Sequence, residues 1–341
     1  MAFSSDHSLP PAMQVFLLSE GTVISTALSI AAELGVADLL ADGPRNNDDL
    51  ARSTGTHPRS LYRVLRLLAS VGILNEPRPG DFALTEAGQL LRTGTPGSLR
   101  SWARMIGLPF WSKVYAQALH SVRTGEPVFH RVFRAELFEY LQMNPAEGEI
   151  FNAAMSDFSR QIAAAVVQAY DFAGVRRLVD VGGGHGALIT TVLRAHPEMT
   201  GALCDLPHVA EGARTAIADA GLAQRCEIVG GDFFQSVPPG GDAYVLSWII
   251  HDWDHARAVA LLRNCRRALR DTGRLLLVES VVPPGDALHP SKLVDFVMLI
   301  GLGGQERTEE EYAALLVEAG FSLRRVIRTA SPMSILECLP A

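Results

Sequence analysis

The sequence predicts an α/β protein in which a helix-rich N-terminal domain precedes a doubly wound parallel sheet. The chain has 341 residues, which is long for a single core and suggests more than one domain. Its first part has the pattern helix, turn, helix, hairpin, whereas from about residue 174 short apolar runs alternate with helical segments. We therefore expect an N-terminal domain over 1–95, a helical linker and pocket region over 96–170, and the sheet domain over 171–341.

The composition excludes several functional classes. Hydrophobic residues make up 48% of the chain, the net charge is −7, and no run of Lys or Arg exceeds two residues. Nucleic-acid surfaces need clustered positive charge, so we expect no nucleic-acid partner. The sequence has no pattern of a signal peptide, and no apolar run reaches the ~20 residues that cross a bilayer. Four cysteines without a C-x-x-C pair are typical of buried thiols in a reducing compartment, so we expect a cytoplasmic protein without a membrane partner.

The N-terminal segment has the pattern of a winged helix. Apolar residues at three- and four-residue spacing predict helix from residue 12 to about 40, ending before a Gly-Pro pair. Asn47 or Asp48 is expected to cap a short helix, and His57 or Ser60 to lie near the start of the next one. The stretch "GILNEPRPGDFALTEAG" then predicts a hairpin around a Pro-Gly-Asp turn.

Two functions are compatible with this pattern. In DNA-binding proteins the second helix enters the major groove, and here that segment carries Arg59, Arg63 and Arg66. The domain also carries many acidic residues, which favours a scaffold or dimerisation module instead. In the helical region that follows, the aromatic residues belong either to a core or dimer interface, or to a pocket for an aromatic substrate.

The sheet domain is predicted from five strands separated by helices. The strands lie in "RRLVDVGGG", "TGALCDL", "CEIVGGDFF", "DAYVLSWII" and "GRLLLVESVV". In open sheets of this kind, ligands bind outside the carboxyl ends of the strands. We therefore expect the functional site at these ends.

Glycines follow the first strand, in "VDVGGGHGA". They let the backbone turn tightly and approach a ligand, and the next helix offers N–H groups. Gly182, Gly184 and Ala187 fit the dinucleotide fingerprint G-x-G-x-x-A. Asp180 with the glycines at 182, 184 and 186 fits the S-adenosylmethionine loop D-x-G-x-G-x-G. The acid favours the second template, because Asp180 can organise the loop and reach an ammonium group through water.

Acidic residues also end the second and third strands. Asp205 follows Asp180 by 25 residues, near the separation of about 20 residues at which a carboxylate holds ribose hydroxyls. Asp232 and Phe233 come next, where a carboxylate can accept from the adenine amine and a ring can pack on its face. Phe233 could equally belong to the core.

The fourth strand ends in "SWIIHDWDH". His251 would lie near the reactive end of a bound cofactor, although a capping or core histidine is the plainer alternative. Glu279 ends the fifth strand, and Glu306 lies in "GGQERT". A histidine with two such acids predicts a general base and its orienting partners. His251 and His255 imitate a metal-binding pair, but no third ligand set is evident, so we expect no metal.

In combination, these motifs resemble one family over nearly the whole chain. "LVDVGGGHG", "CDLP", "GGDFF", "LSWIIHDWDH", "LLLVES" and "GGQERT", with "FNAAMSDFS" upstream, are similar to motifs of S-adenosylmethionine-dependent O-methyltransferases. This family includes plant caffeate-type enzymes and bacterial antibiotic-tailoring enzymes. The resemblance implies a Rossmann-like catalytic domain, a homodimer formed through the winged-helix domain, and methylation of a phenolic hydroxyl on an aromatic secondary metabolite.

The resemblance also implies a role for particular residues. The implied catalytic residues are His251, Glu279 and Glu306. The implied cofactor-binding residues are Asp180, Gly182, Gly184, Asp205, Leu206, Gly231, Asp232, Phe233, Ser247 and Trp248. The implied substrate-binding residues are Phe151, Met155, Asp252, Asp295 and Met298.

Three other functions stay open. The dinucleotide fingerprint allows a nicotinamide oxidoreductase, and the winged helix allows a regulator that senses a small molecule. A protein of the same fold could also bind S-adenosylmethionine and perform hydroxylation or decarboxylation. The intact His251 weighs against this last alternative, because such an enzyme has less need of a base.

Overall fold

The computed structural model describes residues 10–341. Contacts divide the chain into two units, one formed by residues up to 113 with 141–157, the other by 114–140 with 158–341. The three-part division expected from the sequence has different boundaries and stays a prediction about domains.

Among the described residues from 10 onwards, the first unit contains seven complete helices and a small sheet. The helices are α1 (Pro11–Ser19), α2 (Gly21–Glu33), α3 (Val36–Leu39), α4 (Asn47–Thr54), α5 (Pro58–Ser70), α6 (Glu86–Gln89) and α7 (Arg100–Ile106). The strands are β1 (Arg45–Asn46), β2 (Leu74–Arg78) and β3 (Asp81–Leu84), in the order β1-β3-β2. The antiparallel β2–β3 hairpin after α4 and α5 matches the winged-helix prediction.

Two details of this unit differ from the expectation. The helix expected from residue 12 to 40 is interrupted at Glu20 and again at Gly35. Gly35 has a φ of 65°, a left-handed conformation that ends helices and that glycine adopts without steric cost. The cap of α4 is Asn46, whose side chain accepts from the Asp48 N–H, so the helix begins one residue earlier than expected.

The helical region also agrees with the prediction. Its helices are α8 (Pro109–Tyr115), α9 (Ala118–Thr124), α10 (Phe129–Phe133), α11 (Leu137–Met143) and α12 (Pro145–Ala169). Helices α8, α11 and α12 contribute residues to both units.

A seven-stranded sheet forms the centre of the second unit, in the order β6-β5-β4-β7-β8-β10-β9. The parallel strands are β4 (Arg177–Val181), β5 (Thr200–Asp205), β6 (Cys226–Gly230), β7 (Ala243–Ser247) and β8 (Arg274–Glu279). The other two, β9 (Phe321–Arg328) and β10 (Ser334–Pro340), are antiparallel and were not expected from the sequence. The flanking helices are α13 (Ala187–Ala195), α14 (Pro207–Asp219), α15 (His255–Ala268), α16 (Pro290–Gly301) and α17 (Glu309–Glu318).

Apolar residues of this sheet and its helices form two large cores. All four cysteines are buried and unpaired. Within residues 10–341 no single helix has the length and hydropathy of a membrane span. The pair α1 and α2, bent by 49°, meets these criteria only as a pair and by length and composition alone.

Candidate active site

The loop after β4 has a backbone that favours glycine. Gly182 has a φ of 73° and Gly184 a φ of 57°, both in the left-handed region. A Cβ atom on Gly182 would lie 2.6 Å from Cδ1 of Ile249, and one on Gly183 would lie 2.9 Å from the carboxyl carbon of Asp180. The backbone is therefore left bare at the point where a ligand can approach it.

Two carboxyl groups support this loop. Asp205 ends β5, and its two oxygens accept from the N–H groups of Gly184 at 2.8 Å and Leu206 at 2.7 Å. Asp180 is buried, and its Oδ2 atom has no hydrogen-bond partner among the described residues. Burial raises the pKa of Asp180 to about 7, and the nearby Asp205 adds to the rise. A ligand with N–H donors fits such a place, because it would supply the hydrogen bond that Oδ2 lacks.

The loop after β6 lies beside the glycine loop. The Gly231 N–H donates to the Asp205 carbonyl oxygen at 2.8 Å, and nothing lies within 4 Å of a Cβ placed on Gly231. Asp232 accepts from the N–H of Phe234 at 2.9 Å. The Phe233 ring is half-buried and would lie 3.6 Å from a Cβ on Gly182. These residues lie around the open backbone, and their role in binding a nucleoside stays a prediction.

An unusual backbone conformation follows β7, which ends at the half-buried Ser247. Trp248 has a φ of 58°, which is uncommon for a bulky side chain and costs about 1–3 kcal/mol. Its ring stacks on the imidazole of His251, with centroids 5.0 Å apart and an angle of 19° between the planes, and also packs on Phe158. The left-handed conformation of Trp248 therefore places its indole ring against the imidazole of His251.

His251 is buried in a 3-10 turn (Ile250–Asp252). Its Nδ1 atom lies 2.8 Å from Oε1 of the buried Glu306. A carboxylate accepts from an Nδ1–H, and a neutral ring in that tautomer carries its lone pair on Nε2. Nε2 lies 3.4 Å from Oδ1 of Asp252. Burial alone would lower the pKa of His251, but Asp252, Glu306 and Glu279 outweigh it and raise this pKa to about 9.

Glu279 contacts the backbone of the histidine turn, and its role as an orienting partner of the imidazole stays a prediction. Its Oε1 atom accepts from the N–H groups of Ile249 at 3.0 Å and Ile250 at 2.8 Å, so it holds the backbone before His251. The imidazole contact belongs to Glu306. Glu279 is fully buried, and burial raises its pKa to about 7 even though the charged His251 lowers it.

The expected substrate residues are spread over both units. Asp295 on α16 accepts from the N–H of Glu306 at 2.9 Å, so it contacts the backbone of the residue that lies against the His251 imidazole. Met298 is buried on the same helix. Phe151 is buried and Met155 half-buried on the part of α12 that belongs to the first unit. Their role as pocket walls stays a prediction.

The segment after α16 holds residues that the sequence reasoning missed. The Gln305 N–H donates to the His251 carbonyl oxygen at 2.9 Å, and Gly304 lies directly against the same oxygen. The Arg307 side chain is buried and donates to carbonyl oxygens of the 3-10 turn. The only available signal was their adjacency to Glu306 in "GGQERT".

His255 does not join this network. It contacts Glu318 of α17 at 2.8 Å on the surface. Within residues 10–341 no group of three or more His, Cys, Asp or Glu side chains could hold a metal ion.

Two family models match the chain. The O-methyltransferase domain matches residues 113–322, and the O-methyltransferase dimerisation domain matches residues 16–94. Among curated proteins, the phenazine O-methyltransferase PhzM of Lysobacter antibioticus is 45% identical over 94% of each chain. The aclacinomycin 10-hydroxylase RdmB of Streptomyces purpurascens is 35% identical, over 91% of this chain and 85% of that one.

Solved structures agree with these matches. CalO1, a methyltransferase of calicheamicin biosynthesis in its SAH-bound form, has a TM-score of 0.88 and 36% identity, over 98% of this chain and 100% of that one. NcsB1, an O-methyltransferase in complex with S-adenosylmethionine and 2-hydroxy-5-methyl naphthoic acid, has a TM-score of 0.78 and 34% identity, over 93% and 96%. The fold predicted from the sequence is thereby confirmed, and the chain belongs to the O-methyltransferase family that its motifs resemble.

Proposed function

We propose that this protein transfers a methyl group from S-adenosylmethionine to a phenolic hydroxyl of an aromatic small molecule, with His251 as the general base. The observation that carries the proposal is the contact of His251 Nδ1 with the buried Glu306 carboxylate, beside the glycine loop. Relatives with this fold act on a phenazine or bind a naphthoic acid. These names support a flat, multi-ring acceptor from secondary metabolism.

The strand-end residues fit S-adenosylmethionine, the cofactor of this family. When bound, it supplies an electrophilic methyl group on a sulfonium. The Asp180 Oδ2 atom and the glycine loop would hold its amino-acid end, since a buried carboxyl oxygen without a partner needs a donor. For the rest of the cofactor, we propose that Asp205 and Leu206 contact the ribose and that Gly231, Asp232 and Phe233 contact the adenine. Ser247 and Trp248 would lie beside the cofactor.

His251 would make the acceptor oxygen nucleophilic. A phenol has a pKa near 10, so little phenolate exists at neutral pH. Nε2 would take the proton as the oxygen attacks, and the Glu306 carboxylate would stabilise the imidazolium that forms. Such a base contributes roughly a hundredfold to ten-thousandfold, and holding the reacting atoms in line contributes much of the rest.

The raised pKa of His251 matches this task. A base with a pKa of about 9 can take a proton from a phenol with little energetic cost. His251 must first lose the proton that it holds at neutral pH. It would lose this proton more readily in the presence of the positively charged sulfonium of S-adenosylmethionine, because like charges disfavour the protonated imidazole.

Glu306→Gln tests this arrangement through its pH dependence. Glutamine keeps an oxygen that accepts from Nδ1 but removes the charge, so the pKa of His251 should fall. Because only the neutral imidazole acts as a base, the rising limb of kcat/KM should move to lower pH, and kcat at the plateau should fall about tenfold. A limb that stays near pH 9 or moves higher would contradict the role of Glu306.

The acceptor site and the assembly are the remaining parts of the proposal. We assign acceptor contacts to Phe151, Met155, Asp252, Asp295 and Met298, as the family resemblance implies. We propose a homodimer through the N-terminal domain, because the dimerisation model matches it and α1 exposes Val15, Phe16 and Leu18. A single-chain mass in light scattering would exclude the dimer. The net charge of −7 argues against nucleic acid as a further partner.

The alternative is a tailoring enzyme that binds the same cofactor without methyl transfer. A relative named as a hydroxylase shows that this fold can carry another reaction. The contact of His251 with the buried Glu306 favours methyl transfer, because a non-methylating enzyme has less need of a base.

The first experiment is a calorimetric titration with S-adenosylhomocysteine, with NADH as the comparison. We expect micromolar binding of the former and none of the latter. Hydroxylated phenazines and naphthoates are then incubated with S-adenosylmethionine and screened for the mass gain of one methyl group. Binding without any methylated product, but with an oxygenated or decarboxylated one, would favour the alternative. Binding of neither ligand would overturn the proposal.

A further inference from the structure

Arg307 is a buried cation outside the roles described so far. Only 1% of the residue is exposed. Its Nη1 atom donates to the carbonyl oxygen of Ile250 at 3.1 Å, and its Nη2 atom to that of Trp253 at 3.0 Å. Among the described residues no carboxylate forms an ion pair with it. Since a buried charge is costly and arginine does not lose its proton, these carbonyl contacts help to compensate it, together with the nearby Asp295 carboxyl group.

The two carbonyl groups bracket His251 and Asp252 in the chain. Ile250 immediately precedes the histidine, and Trp253 ends the 3-10 turn. Glu279 holds the same turn from the other side, through the N–H groups of Ile249 and Ile250. The Glu279 side chain thus accepts from N–H groups of this segment, and the Arg307 guanidinium donates to its carbonyl groups.

The position of Arg307 is itself fixed by the backbone. Its carbonyl oxygen accepts from the Val282 N–H at 2.9 Å, which ties the segment to the chain after β8. Glu306, the neighbouring residue, contacts the imidazole. Glu306 therefore contacts the ring of His251, and the adjacent Arg307 contacts the backbone on which that ring is carried.

A direct contact of Arg307 with substrate does not fit this geometry. The guanidinium is buried and its Nη atoms point to backbone oxygens. We propose that Arg307 is a positioning residue, which holds Nε2 of His251 in register with the acceptor through the carbonyl groups of Ile250 and Trp253. This inference rests on the proposed role of His251.

Arg307→Lys is the test, because lysine keeps the charge but cannot span two carbonyl groups with a rigid fork. The matched control is Arg225→Lys. Arg225 also donates to backbone carbonyl groups, those of Leu193, His196, Pro197 and Met199, within the same unit. Both substitutions remove a guanidinium fork, but only one lies at the histidine turn.

We expect Arg307→Lys to bind S-adenosylhomocysteine within about threefold of the wild type and to keep KM, while kcat falls at least about thirtyfold. Arg307→Met should lose more. Arg225→Lys should lower Tm but leave kcat and its pH profile unchanged. Wild-type kcat in Arg307→Lys, or an equal loss in Arg225→Lys, would overturn the proposal.

A second readout needs no turnover. NMR of histidine-labelled protein follows the titration of His251, with its signal assigned from the variant that lacks it. If Arg307 positions the turn, Arg307→Lys loosens the Glu306 contact and moves the His251 titration to lower pH, whereas Arg225→Lys does not. An unmoved titration contradicts the inference. A moved titration in a protein that methylates no phenol would support it while the proposed reaction fails.

Discussion

His251→Ala is expected to bind S-adenosylhomocysteine as the wild type does and to lose between about a hundredfold and ten-thousandfold in kcat. The substitution removes the one imidazole that the buried Glu306 orients, and water is a weak substitute for a base at that position. The loss should be smaller for acceptors that are already acidic, because their oxygen is ionised without help. Calorimetry measures the binding and single-turnover kinetics measure the transfer.

The matched control for this variant is His255→Ala. His255 lies in the same motif but is exposed and contacts Glu318 on the surface. Its removal should leave kcat within about twofold, since an exposed pair contributes little. If His251→Ala turned over normally, the general base would have to be sought elsewhere. A Tm measurement separates loss of the base from unfolding, because Glu306 is left buried without its partner.

Gly304→Ala is expected to combine a large loss of activity with a loss of stability. A Cβ atom there would overlap the carbonyl oxygen of His251 and lie 2.7 Å from the carbonyl carbon of Asp252. Both neighbours are backbone and cannot rotate away, so the turn must move. Overpacking of this kind costs about 1–3 kcal/mol of stability. Displacement of the base by about 1 Å can lower kcat a hundredfold.

Gly21→Ala is a suitable control for that variant. Nothing lies within 4 Å of a Cβ placed on Gly21, and the residue is helical and exposed. Alanine is favourable in a helix, so stability should be unchanged or rise slightly. Thermal unfolding and kcat are measured on both variants. Wild-type kcat in Gly304→Ala would show that the histidine turn tolerates displacement.

Much of the fold could be predicted from the sequence, because the period of apolar residues distinguishes strands from helices. The five parallel strands and the polar residues at their ends were all found in this way. The antiparallel pair β9 and β10 was missed. Strand β9 has partly exposed residues with several arginines, and its pairing depends on a partner that the pattern does not identify.

The site could be predicted only at the level of which residues share an edge of the sheet. Spacing brings Glu279 and Glu306 to the edge that carries His251, but it does not tell which carboxylate meets the imidazole. The contacts of Arg307 could not be predicted, for a related reason. Its partners are carbonyl groups, which every residue possesses, so no pair of residue types marks the contact in a sequence.

Anchoring the histidine turn through peptide groups has a consequence for the diversification of such enzymes. The contacts of Glu279, Gln305 and Arg307 with the turn end on main-chain atoms, so they constrain where the turn lies more than which side chains it presents. Side chains around the turn can therefore be exchanged, in evolution or in engineering, with little effect on where the turn lies. A fold built in this way keeps the position of the turn while the surrounding side chains, and with them the acceptor or the reaction, change.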